Sequence, residues 1–314
     1  MLFEVLITIL QWLIAVLGAP LLVGVIRRTK AVLQGRRGPS VFQPYWNLRK
    51  LLQKQMVISE TTSWIFRFTP YVVITTMLLA ALIVPILSTT RSMQFPGNIV
   101  LLMYLFLLGA FFLALAGLDA GSAFGGMGSS RVMALAALAE PTVMIAIFAI
   151  ALRAGSTGLN EIIRASITDP LLMLNPGHLL AFFSFFIVAL AETGRLPVDN
   201  PGTHLELTMI HEAMILEYSG RYLALIEWAA AIKLFVFLTL LGNLFFPWGV
   251  AATITPATVV LALLALTIKL GVLAVCLAAL ETGLAKLRLF RVPELLGGSF
   301  MLALLAVVSF LFLR

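Results

Sequence analysis

Apolar residues fill this chain in long runs, and the polar positions gather between them. Eight apolar runs of 17 or more residues lie at about 3–26, 69–89, 98–118, 132–152, 177–193, 222–246, 256–280 and 297–313. Each is about as long as an α-helix must be to cross ~30 Å of hydrocarbon. The short alternating segments of a membrane β-barrel are not seen in them. The pattern predicts an all-α polytopic membrane protein, a single integral membrane domain over residues 1–314 with about eight transmembrane helices.

Between the runs, shorter patterns predict surface elements. Tyr45 to Lys54 reads as an amphipathic helix, and Leu159 to Ile167 as one or two amphipathic turns. Asp119 to Arg131 is glycine-rich and reads as a tight re-entry between spans. Pro197 and Asn200-Pro201-Gly202 carry turn chemistry, and Thr203 and Glu206 then have capping-box spacing. A short amphipathic helix at the membrane surface, about 204–218, is expected to follow. Leu205, Met209 and Leu216 would share its apolar face with Met214 near the edge, and Gly220 would end it.

Charge gives the runs a direction. Hydrophobic residues make up 61% of the chain and charged ones 11%, yet the net charge is +7. The loops 27–68, 119–131, 194–221 and 281–296 hold fifteen of the twenty-one Lys and Arg, against four on the opposite side or its edge. These four loops are therefore expected inside the cell membrane and both termini outside. The first run has no basic segment before it, carries Glu4, and is followed by Arg27-Arg28, as an uncleaved anchor would be. Basic loops beside a bilayer account for the net charge without nucleic acid. The single cysteine, Cys276, lies in an apolar run. One cysteine supports neither a disulfide nor an iron–sulfur cluster, so it is expected to be a small buried hydrophobe.

The candidate chemistry is concentrated in residues 191–221. Five of fourteen acids, Glu192, Asp199, Glu206, Glu212 and Glu217, lie there with two of three histidines, His204 and His211. Glu140, directly before Pro141, and Glu227, Lys233 and Lys269 fall within predicted spans, while Glu192 and Glu281 close two others. An ionisable group near the bilayer centre costs at least ~2.5 kcal/mol, which points to paired charges or an ion path. His211-Glu212 begins like a zincin helix, but Ile215 stands where the second histidine is needed. A metal set of His204, Glu206, His211 and Glu212 lacks the usual spacing. No nucleophile elbow or P-loop occurs, and no inner loop is large enough for a cofactor domain. No catalytic residue, bound cofactor or metal is expected on this chain. In the first basic loop, Gly35-Arg36-Arg37-Gly38-Pro39 forms a turn that would present two guanidinium groups, with Arg49 and Lys50 beyond it. Docking of a partner protein and anchoring to anionic lipid both fit that loop.

Several stretches together resemble a known family. They are Arg36-Arg37-Gly38-Pro39 with Lys50-Leu51-Leu52, Ser130-Arg131 followed by Glu140, and Ala191-Glu192-Thr193 with Pro197-Val198-Asp199. Glu217-Tyr218-Ser219-Gly220 and Arg288-Leu289-Phe290-Arg291-Val292-Pro293 complete the set. The chain is similar, over nearly its whole length, to the eight-helix membrane subunit shared by respiratory complex I (NADH dehydrogenase subunit 1) and membrane-bound NiFe hydrogenases. It is nearer the hydrogenase branch, of the formate hydrogenlyase and hydrogenase-4 type. The resemblance implies a subunit without redox centres that seats a hydrophilic redox arm and couples electron transfer to proton or sodium movement. The NiFe centre and iron–sulfur clusters would lie on partners: hydrogenase-like large and small subunits and iron–sulfur subunits, with antiporter-like chains alongside in the membrane. The implied ion path takes Glu140, Glu192, Asp199, Glu206 and Glu217, to which the buried charges add Glu227, Lys233 and Lys269. The redox arm would dock on Arg36, Arg37, Arg49, Lys50, Arg131 and Arg195. Complex I members carry carboxylates where Gly202 and His204 stand here, and Gln55 replaces an acid, which favours the hydrogenase branch over a quinone-site subunit. An autonomous ion transporter is the remaining alternative, motivated by the buried Glu and Lys.

Overall fold

The computed structural model describes residues 2–89, 99–168, 175–199 and 210–312. Their helices, in chain order, are α1 (Leu2–Leu33), α2 (Gln43–Gln53), α3 (Trp64–Ile83), α4 (Ile99–Asp119), α5 (Ala123–Ala154), α6 (Leu159–Thr168), α7 (Pro176–Glu192), α8 (His211–Ile215), α9 (Gly220–Phe245), α10 (Pro256–Gly283) and α11 (Val292–Phe312). Seven of them are long and apolar enough to cross a membrane: α1, α3, α4, α5, α9, α10 and α11. The eighth predicted span is α7, apolar but only 17 residues long. The surface expectations over Tyr45–Lys54 and Leu159–Ile167 appear as α2 and α6.

α9 is the centre of the bundle. Every residue from Leu234 to Phe245 is buried, and α1, α2, α3, α7 and α10 all pack against it. α4 joins α3 to α5, and α5, α7 and α11 form a second group. In lipid no apolar solvent difference drives helices together, so close contact depends on small residues. The α4–α5 hairpin shows this. A Cβ on Gly125 would lie 2.3 Å from the Gly117 carbonyl oxygen, so only glycine admits this approach. The glycine-rich stretch is therefore helix rather than the predicted loop. The turn is confined to residues 120–122, and Ser122 caps α5 by accepting from Gly125 N–H at 3.2 Å.

Two other expectations are corrected. α1 runs to Leu33, so Arg27, Arg28 and Lys30 extend a helix instead of opening a loop. Cys276 is exposed on α10, beside Val272 and Val275, and is not buried among helices.

Two helices stop early, and their backbone continues extended. α3 ends at Ile83 and α9 at Phe245, and the following segments meet in a parallel bridge between Ser88 and Ala251. Gln11 Oε1 accepts from the Ile86, Leu87 and Ser88 N–H groups at 3.1–3.4 Å. Asn243 Nδ2 donates to the Pro85 and Ile86 carbonyls at 2.9 and 3.0 Å. These side chains supply what water would supply elsewhere, and buried irregular backbone requires it. Lys269 Nζ, at the middle of α10, donates to Asn243 Oδ1 at 3.1 Å.

Candidate functional site

A cavity of about 500 Å³ opens where α7 and α10 end. α1 contributes Arg27 and Lys30, α9 Glu227 and Lys233, and α10 Glu281, with apolar walls from Val73, Met77 and Phe106. The segment after α7 adds Arg195 and Asp199, and α8 adds His211 and Glu212.

Local structure explains how Glu192 arrives there. α7 closes with a Schellman-type turn: Arg195 N–H donates to the Leu190 carbonyl at 2.8 Å and Gly194 N–H to Ala191 at 3.1 Å. Gly194 takes the left-handed position with φ +60°, where glycine costs least. A Cβ there would also lie 2.6 Å from His211 Cδ2, so the imidazole rests directly on this turn. The second Glu-Thr-Gly, at residues 281–283, ends α10 without a positive φ and is not a structural repeat of the first.

Glu192 and Glu281 both sit in the last turn of a helix, where the dipole opposes a negative charge. Each is met by cations. Lys233 Nζ lies 2.7 Å from Glu192 Oε2. Glu281 joins two elements: Lys30 Nζ at 3.0 Å on one oxygen and Arg195 Nη1 at 2.9 Å on the other. Asp199 is the third centre. Its Oδ1 meets Lys286 Nζ at 2.8 Å, and its Oδ2 accepts from the Ile210 and His211 N–H groups at 3.3 and 3.2 Å. Leu287 N–H donates to the Pro197 carbonyl at 2.9 Å, which fixes the loop carrying Lys286 against the loop carrying Asp199. Three carboxylates and four cations thus make ion pairs across α1, α7, α9, α10 and the intervening loops. Low dielectric strengthens such pairs and makes loss of one partner costly.

The predicted site residues divide into groups. Glu192, Asp199, Glu227 and Lys233 line the cavity. Glu140 stands on α5 within electrostatic reach of Glu192 and Lys233. Glu217 is exposed and outside the cavity, and Lys269 belongs to the Asn243 cluster instead. Glu206 lies outside the described residues, as does His204, so half of the possible metal set does too. Arg36, Arg37, Arg49 and Lys50 are exposed, as docking requires, and Arg131 is half-buried on α5. Arg195 is corrected: its guanidinium is turned inward onto Glu281. Of the surface helix expected at 204–218, residues 204–209 lie outside the described residues; within 210–218 only His211–Ile215 is helical, packed on α4 and α5, with Ala213 and Met214 buried and Leu216 exposed.

Lys30, Arg27 and Lys286 were not singled out as site residues, and Glu281 and His211, though noted, were not placed on the expected ion path. The helix-end position of Glu281 was a usable signal, since an acid there needs a cation. Burial pushes the His211 imidazole below the ordinary value and the Lys233 charge adds to this, while Asp199 and Glu192 oppose.

Comparison with known proteins agrees with this architecture. The chain is 36% identical over 308 residues to formate hydrogenlyase subunit 4 of Escherichia coli K12, covering 98% of this chain and 99% of that protein. It is 32% identical over 312 residues to hydrogenase-4 component C of the same organism, covering 98% and 96%. Among solved structures, a chain of the membrane-bound sulfane sulfur reductase, an archaeal respiratory membrane complex, matches with a TM-score of 0.80 at 20% identity, covering 98% of each, and so shares the fold. The NADH dehydrogenase family model matches residues 5–312, and the chain belongs to that family.

Proposed function

We propose that this chain is the membrane subunit, without redox centres of its own, of an energy-converting oxidoreductase of the membrane-bound NiFe hydrogenase type. It docks a hydrophilic redox arm and couples electron transfer to proton or sodium movement. The observation that carries this reading is the cavity in which Glu192–Lys233, Asp199–Lys286 and Glu281 with Lys30 and Arg195 are paired at the ends of membrane helices. A change of charge at its mouth would shift the balance of each pair in turn. Glu140, close to Glu192 and Lys233, is the step toward the membrane interior.

The resemblance seen in the sequence implies the rest of the reading. Hydrogenase-like large and small subunits and iron–sulfur subunits would carry the NiFe centre and clusters, and antiporter-like subunits would adjoin in the membrane. The segments 27–68, 119–131, 194–221 and 281–296 face the arm, both termini lie outside, and Arg36, Arg37, Arg49, Lys50 and Arg131 meet the partner. The complex resides in the inner membrane.

The test is Glu140→Gln and Glu192→Gln in membrane vesicles, measuring ion uptake per electron with complex content checked by blot. Both variants should assemble and transfer electrons while ion uptake falls. Normal coupling in both would remove the path from this chain.

A further inference from the structure

The ion pairs of the cavity are well formed but separate. Glu192 is held by Lys233, and Asp199 by Lys286 and two backbone N–H groups. A proton cannot pass between carboxylates so held without a group between them that both accepts and donates. His211 adjoins both residues, on the turn that follows Glu192 and on the backbone that Asp199 holds. Its ring lies on the Gly194 turn that ends α7, its own backbone N–H donates to Asp199 Oδ2 at 3.2 Å, and its side chain lines the cavity. It is hydrogen-bonded to the backbone of Glu192 and feels the charges of Lys233, Asp199 and Glu192. We propose that His211 is a proton relay of the cavity, passing protons between the Glu192–Lys233 pair and the Asp199–Lys286 pair.

The transfer balances within the ring. One nitrogen accepts a proton from the donor side; the N–H that rests on the Glu192 backbone is released to a carboxylate of the acceptor side once the ring turns off that backbone, and turning back resets the ring. A relay must start neutral, and burial together with Lys233 lowers the imidazole below its ordinary value, which favours the neutral ring. The charges that act on the ring are Lys233 on α9, Glu192 on α7 and Asp199 beyond it, and the elements around α8 also carry Arg131 and Glu140 on α5, Asp119 on α4, and Arg195, Glu212 and Lys286 on the adjoining segments. The capping role of residue 211 is a backbone bond and survives replacement of its side chain.

The inference rests on the coupling function proposed above, and the experiment separates the two. His211→Gln, His211→Ala and Glu192→Gln complexes are compared in vesicles for ion uptake per electron between pH 5.5 and 8. His211→Gln should assemble and transfer electrons, lose roughly a hundredfold in ion uptake per electron, and lose the acid-side fall in coupling expected of wild type as the imidazole gains a proton. Added imidazole should restore uptake in His211→Ala, which packing alone would not predict. Normal coupling in His211→Gln with loss in Glu192→Gln overturns the relay and leaves the coupling function standing. Normal coupling in both overturns the coupling function. Failure of both His211 variants to assemble assigns the ring to folding and overturns the relay.

Discussion

At the scale of residues, the cavity is built by acids whose positions are unfavourable alone. The Glu281 side chain is 2% exposed and lies in the final turn of α10, yet it holds Lys30 of α1 and Arg195 beyond α7 together. Glu281→Gln leaves two cations without their charge partner, a loss of about 3–5 kcal/mol by analogy with broken buried pairs. The purified variant should unfold in detergent at a clearly lower temperature than wild type, although its side chain keeps the same volume. An unchanged melting temperature would show that water already carries those cations. Glu227 offers the contrast: its carboxylate faces the cavity with Arg27 as the nearest cation, so its loss should cost far less.

At the scale of elements, two features invite measurement. α8 is only five residues long, too short to be stable by itself, and is held by Asp199 and by packing on α5. His211 has a lowered pKa in place and the ordinary ~6.5 when released. The released state therefore binds more protons, so docking is fully supported above ~6.5 and is lost progressively as pH falls below it. Hydrogen exchange of amides 211–215, corrected for intrinsic rate, should quicken between pH 7.5 and 5, and His211→Gln should flatten that change. A wild-type profile that is already flat would contradict the sign. The second feature is the extended backbone after α3 and α9. Asn243→Leu strands the Pro85 and Ile86 carbonyls and takes the acceptor from Lys269. Each orphaned buried group costs about 1–3 kcal/mol, so folded yield should drop sharply. Asn243→Gln, which keeps the amide, should recover part of the loss.

At the scale of the whole molecule, the docking proposed above falls on the exposed turn bearing Arg36 and Arg37. Alanine at both positions should release the redox arm at moderate salt while the membrane chain remains inserted, because Arg49, Lys50 and Lys54 still mark that loop as inner. Co-purification of the arm, followed by blot across a salt series, reads this directly. An arm that resists salt as in wild type would place docking elsewhere. Lipid anchoring alone would leave arm content unchanged.

The sequence by itself determined the class, the helices and the family. Transmembrane helices are a local consequence of composition, since a run of some twenty apolar residues must satisfy its own backbone within lipid. The motifs from Arg36 to Pro293 carried the resemblance in the same local way. Partners in three dimensions were not legible. Glu281 meets Lys30 across 251 positions and Arg195 across 86, and no period or spacing encodes that. The same reason hid the inward turn of Arg195, the exposure of Cys276 and the burial of Met214. Whether a charge faces a cavity, a partner or lipid depends on which helices stand beside it, and only the tertiary structure brings α1, α7, α9 and α10 around one polar space.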